Sequence, residues 1–188
     1  SSQTWFFSWF FLGLAVLVKG PVAIVLTVFV LFLFGLFERD FGYLLARLKP
    51  LRGFVVTSII ALPWYLLEVL VEGKAFLDSF FGYHNFQRFT SAVNSHLQPW
   101  WFFILIMILA SLPFTPFLVL GIVKTSKTCL VGRKIDCFER KNSLMSFSFC
   151  WFISVFLFFT FSATKLPSYW LPAIPSASLL IGITASLS

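Results

Sequence analysis

The chain has 188 residues, 59% of them hydrophobic and only 11% charged, with 27 phenylalanines and a formal net charge of +7; its mean hydropathy is +0.93. Soluble domains carry about 25% charged residues, and so few charges cannot cover this much apolar surface in water, so lipid is the expected solvent. The excess positive charge falls between apolar runs and is not interleaved with base-stacking aromatics, which argues against nucleic acid and for the basic loops of a membrane protein.

Six apolar segments follow in chain order: 3–18, 21–37, 53–71, 100–122, 143–162 and 169–186. A spanning helix needs roughly 17–25 residues. The first two segments are short, and one kinked helix is the alternative to two helices. Gly20-Pro21 favours two, because it breaks the helix and removes a backbone donor. The expected fold is all-α: a polytopic transmembrane helix bundle of about six spans, forming a single region over 1–188. The start at "SSQTWFFSWFF", without Met, and the end soon after an apolar run lead us to expect an internal part of a longer membrane protein.

Longer polar connections lie at 38–52, 72–98 and 123–142, and a short one surrounds Lys165. The connections at 38–52 (Arg39, Arg47, Lys49, Arg52) and 123–142 (Lys124, Lys127, Arg133, Lys134, Arg140, Lys141) carry ten of the fourteen Lys and Arg residues. With six spans they share one side, which the positive-inside rule makes the cytoplasm. "KGP", 72–98 and "TKLPSY" then face the other side. Within 72–98, "KAFLDSFFGYHNFQRF" spaces Phe76, Leu77, Phe80 and Phe81 as a short amphipathic helix lying in the interface would. Trp100 and Trp101 mark re-entry into the bilayer.

Candidate chemistry gathers on that second side. Lys19 of "VLVKGPVA", Arg88 of "GYHNFQRF" and Lys165 of "SATKLPSYWLP" each place a cation where apolar residues begin. A cation there wants an anionic partner. The planar fork of Arg88 suits two phosphate oxygens, and lysines act as point charges. The competing readings are snorkelling of both lysines to the headgroups and an ion pair of Arg88 with Asp78 or Glu72. Pro167, Pro172 and Pro175 would hold Lys165 and Tyr169 at the mouth of a cavity. His84 and His96 share a connection with two acids, but stand twelve residues apart, which is not a metal-ligand spacing. Divalent metal at His84 is therefore only a weak alternative, and no cofactor is firmly implied. Cys129, Cys137 and Cys150 form no CxxC pair and suggest no disulfide framework.

Four stretches, "GLAVLVKGPVAIVL", "PWYLLEVLVEGKAFLDSFFGYHNFQRF", "HLQPWWFF" and "FSATKLPSYWLPAIPSASLLIG", together resemble membrane glycosyltransferases of the GT-C superfamily, of the aminoarabinose-transferase and dolichyl-phosphate-mannose protein mannosyltransferase type. The resemblance covers nearly the whole chain except 123–142. It implies an integral enzyme of a bacterial plasma (inner) membrane. That enzyme would move a sugar from a polyprenyl-phosphate carrier to an extracytoplasmic acceptor, a lipid, glycan or protein. By the same resemblance Arg88 is the leading donor-phosphate ligand, followed by Lys165, Tyr169 and Lys19, with His84 and Asn85 in support. The family's catalytic acid lies in an earlier outside loop with no counterpart here. The chain is therefore expected to supply the donor side and to be inactive alone. A transporter or flippase of a lipid-linked or anionic solute, which would need polar residues at mid-membrane, and a non-catalytic membrane piece are the alternatives.

Overall fold

The computed structural model describes residues 2–77, 98–130 and 140–186. All regular structure among them is helical: α1 (Ser2–Lys19), α2 (Val22–Glu38), α3 (Phe41–Leu48), α4 (Pro50–Glu72), α5 (Lys74–Leu77), α6 (Phe102–Ala110), α7 (Thr115–Leu130), α8 (Arg140–Phe161), a 3-10 helix (Pro167–Ala173) and α9 (Ile174–Ala185). Each of the six apolar segments is recovered as helix. Two helical stretches are long and apolar enough to cross a membrane, Pro50–Glu72 and Ser143–Phe161, and α6 with α7 makes a third if that bent pair is one span; Val22–Glu38 is a shorter apolar helix.

Local chemistry explains the boundaries. Gly20 has φ +74°, a left-handed conformation that glycine adopts without penalty, and Pro21 follows it. At the far end of α2, Arg39 takes a left-handed conformation. Asp40 then caps α3, its Oδ1 accepting from the Tyr43 backbone N–H at 2.9 Å. Lys49 is again left-handed, and Pro50 opens α4, where its missing N–H has no partner to lose.

Contacts give the directions of the helices. Trp9 meets Gly53, Gly13 meets Ile60, and the Tyr65 hydroxyl donates to the Val16 carbonyl at 2.8 Å. Positions rise together along both helices, so α1 and α4 run parallel. The chain must reverse at Gly20-Pro21. The indoles of Trp5 and Trp9 in α1 both donate to the Leu48 carbonyl, while Gly35 in α2 lies against Phe41. The first turns of α1 and the last turns of α2 thus flank one helix of eight residues, about 12 Å long. A single kinked helix could not do this.

Phe34 and Phe37 of α2 meet Phe147 and Phe149 at the start of α8. The bundle therefore has a basic end, with exposed Arg39, Arg47, Lys49, Arg52, Lys124 and Lys127. Its opposite end holds Lys19, Lys74 and the segment after α8. The core lies between α6, α7, α8, the 3-10 helix and α9, built from Phe103, Leu118, Phe149, Phe152, Val155, Trp170, Ala177 and Leu180. Elsewhere large apolar side chains face outward, as on α4 with Leu70 81% and Val71 83% exposed. That pattern suits lipid and not water.

Segment 100–122 departs from the simple crossing that its apolar run suggests. It breaks after Ala110, and α6 and α7 meet at 119°. Pro113 and Pro116 remove backbone donors at the break, and hydroxyls satisfy carbonyls there. Ser111 Oγ donates to the Met107 carbonyl at 2.6 Å, and Thr115 Oγ1 donates to the Ile108 carbonyl at 3.1 Å. Non-helical backbone at membrane depth requires such partners.

Candidate functional site

The segment following α8 is the best defined part of the end opposite the basic loops. Two hydroxyl residues, Ser162 and Thr164, are almost fully buried there, at 4% and 2% exposed. Ser162 Oγ donates to the Thr164 carbonyl at 3.1 Å, closing a tight turn. The Lys165 ammonium donates to the Ser162 carbonyl at 3.0 Å. This local bond turns the lysine back onto its own turn, leaving it half-buried with two further N–H donors. Extended snorkelling into a headgroup layer would not need the turn.

Prolines then set the path of the backbone. Leu166, which precedes Pro167, is extended at φ −119° and ψ 144°, as a residue before proline must be. Pro167 opens the 3-10 helix that carries Tyr169. The Tyr169 backbone N–H donates to the Leu166 carbonyl at 3.0 Å, and its ring lies 4.8 Å from Phe159, centroid to centroid. Next to it, Trp170 is buried edge-on against Phe152 at 5.5 Å and Phe156 at 6.5 Å. The aromatic wall of α8 thus positions Tyr169, and the buried hydroxyl turn positions Lys165. Ser162, Thr164 and Trp170 were not singled out by sequence reasoning, although the hydroxyls flanking Lys165 in "SATK" were a readable signal.

Lys19 ends α1 and is exposed. It shares the Lys165 end of the bundle, with Val16 one turn earlier held by Tyr65. Arg88, His84 and Asn85 lie outside the described residues, as does most of the expected interfacial helix in 72–98. Its first turn, Lys74–Leu77, is helical, with Phe76 buried against Trp64 and Tyr65 at 5.9 and 6.4 Å. Among the described residues no group of three or more His, Cys, Asp or Glu side chains could hold a metal ion; His84 and His96 are not among them.

A chain whose described residues form only helices as regular structure, with lipid-suited flanks and a polar, proline-ordered turn at one end of the bundle, is an integral membrane protein segment. Comparisons with known proteins narrow the class. The chain is similar to the crystal structure of ArnT from Cupriavidus metallidurans bound to undecaprenyl phosphate, with 31% identity and a TM-score of 0.76 over 95% of this chain and 30% of that one. It is 28% identical over 173 residues to undecaprenyl phosphate-alpha-4-amino-4-deoxy-L-arabinose arabinosyl transferase 1 of Pseudomonas fluorescens, covering 92% of this chain and 28% of the relative. The corresponding transferase 2 of Proteus mirabilis is 29% identical over 185 residues, 96% of this chain and 31% of the relative. No protein-family model matches the chain. The chain spans about 30% of the length of the relatives it matches. These matches bear out the GT-C resemblance of the aminoarabinose-transferase type that the four sequence motifs carry.

Proposed function

We propose that this chain is the donor-phosphate side of a membrane glycosyltransferase, which moves a sugar from a polyprenyl-phosphate carrier to an extracytoplasmic acceptor. The observation that carries this reading is the match over 95% of the chain to a structure bound to undecaprenyl phosphate. The location is a bacterial plasma membrane, with the Lys165 end of the bundle facing outward. This orientation puts the ten basic loop residues inside.

In this mechanism the carrier phosphate is the leaving group. Breaking the bond from the sugar to the phosphate oxygen leaves negative charge on the phosphate. Cations placed before the reaction stabilise that charge without reorganisation, and they act most strongly where water is excluded. Lys165, on its buried turn, supplies one such charge, and the Tyr169 hydroxyl adds a donor. Arg88 and Lys19 complete the set, with His84 and Asn85 in support. The base that deprotonates the acceptor is not one of these donor-side residues.

Photo-crosslinking tests this. A polyprenyl-phosphate probe is applied to the full-length protein in nanodiscs, with Lys165→Ala and Arg88→Ala compared with the unaltered protein. The expected result is labelling at 84–88 and 165–169, reduced about tenfold or more by either substitution, in line with the loss of one charge-assisted hydrogen bond. Labelling spread evenly over lipid-facing helices, or unchanged by both substitutions, would demote the cations to headgroup anchors.

A further inference from the structure

We propose that α3 lies in the headgroup layer of the bilayer at the basic end of the bundle, and that the cations around it hold anionic lipid headgroups. The eight residues "FGYLLARL" place Phe41, Leu44, Leu45 and Leu48 at i, i+3, i+4 and i+7, one face of a helix. That face is only partly used. Leu44 and Leu48 are half-buried, while Phe41 is 37% and Leu45 53% exposed. The far face carries Tyr43 and Arg47, joined by a 2.6 Å hydrogen bond from the guanidinium to the phenol oxygen. Apolar below and polar above is the pattern of a helix lying in an interface.

The bundle fixes this helix at both ends. The Phe41 ring covers Gly35, where an added methyl carbon would lie 2.5 Å from Cε1, and sits 6.0 Å from Phe32. At the other end the Leu48 carbonyl accepts from the indoles of Trp5 at 2.6 Å and Trp9 at 3.2 Å. Since α3 connects the last turn of α2 to the first of α4, it stands at the level where the apolar helices end. The first turns of α4, which follow it directly in the chain, also expose large apolar side chains, Leu51, Phe54 and Val55. Lipid already suits that surface, so lipid is the occupant to which we commit.

Charge supplies the second argument. Exposed Arg39, Arg47, Lys49 and Arg52 surround the helix. Arg39 and Lys49 occupy left-handed positions at its two ends, φ 53° and 47°, where glycine or asparagine is the usual residue. Long cations stand there instead. Of the neighbouring acids, Asp40 is engaged as the helix cap and Glu38 is half-buried at the end of α2. Four cations against these two acids leave the 38–52 connection with a net charge of +2, complementary to an anionic leaflet.

The experiment uses the full-length protein in nanodiscs of phosphatidylcholine containing phosphatidylglycerol. Nitroxide labels are placed by Leu45→Cys and, separately, Ala46→Cys, after replacement of the native cysteines. The label at position 45 should collide with dissolved oxygen and be shielded from a water-soluble nickel chelate, and the label at position 46 should show the reverse. A label at position 45 that meets the chelate freely, or that neither reagent reaches because protein covers it, overturns the proposal. A second measurement needs no cysteine replacement. Phosphatidylglycerol retained on the purified protein is counted by native mass spectrometry for the unaltered chain and for Arg39→Gln, Arg47→Gln, Lys49→Gln and Arg52→Gln combined. Retention should fall about threefold or more in the quadruple variant; equal retention also overturns the proposal.

Discussion

The α1–α4 pair and the core around α8 are both helix associations in an apolar solvent, yet they are held by different means. Between α1 and α4 the helices approach over glycine and exchange polar bonds with backbone. The carbonyls of Trp9 and Val16 accept from Thr57 and Tyr65 at 3.2 and 2.8 Å. A methyl group on Gly53 would lie 1.9 Å from Trp9 Cε2, so the indole occupies the space a side chain would need. Around α8, the 3-10 helix and α9, large side chains interlock instead. Phe103, Phe152 and Leu118 are 2% exposed or less. Lipid offers no hydrophobic drive for helices to associate, so close packing and interhelical hydrogen bonds do that work. The first region rests on glycine contacts and polar bonds; the core rests mainly on interlocked side chains, with one close glycine approach where Gly121 of α7 meets Thr184 and Leu180 of α9.

The largest expected effect falls on the interlocked core. Trp170→Ala should destabilise the protein by about 3 kcal/mol or more, the range for removing a buried aromatic. A lowered thermal midpoint in detergent micelles would show it. The loss should also carry Tyr169 away from Phe159. A second, smaller effect is expected at the glycine contact. Gly53→Ala should cost about 1–3 kcal/mol by overpacking and should displace the Trp9 indole from the Leu48 carbonyl. A midpoint equal to that of the unaltered protein would mean that α1 and α4 are not in contact.

Single hydrogen bonds should matter less. Tyr65→Phe removes the hydroxyl that donates to the Val16 carbonyl, and about 0.5–1 kcal/mol is expected. The contrast is sharpened by combining variants. If the two regions are independent, Trp170→Ala and Tyr65→Phe should add within about 0.5 kcal/mol. A larger coupling energy would show that the pair and the core act as one unit.

The sequence alone carried much of this arrangement, because membrane helices announce themselves by length and apolarity. The six apolar runs, the Gly20-Pro21 break and the clustering of cations in two connections were legible in that way. So were the cation and phenol of "TKLPSY", since a charge beside an apolar run is costly and therefore conspicuous. A different physics hid the rest. The turn that holds Lys165 depends on a bond to the Ser162 carbonyl, and backbone acceptors leave no mark in a sequence. Segment 100–122 read as one crossing because its hydropathy is nearly uniform, while its break rests on prolines and hydroxyls that hydropathy ignores. Helix α3 read as a polar connection because the four cations of 38–52, Arg47 within the helix and three beside it, outweighed its apolar stripe.

What the residues determined by themselves is the solvent and the list of helices, for these follow from local composition and backbone chemistry. Only the tertiary structure decided that α1 and α4 run parallel, that two indoles share one carbonyl, and that the aromatic wall of α8 seats Tyr169. Those outcomes depend on which surfaces meet across long separations in the chain. In lipid, where apolar surfaces are nearly interchangeable, shape and a few hydrogen bonds choose among them.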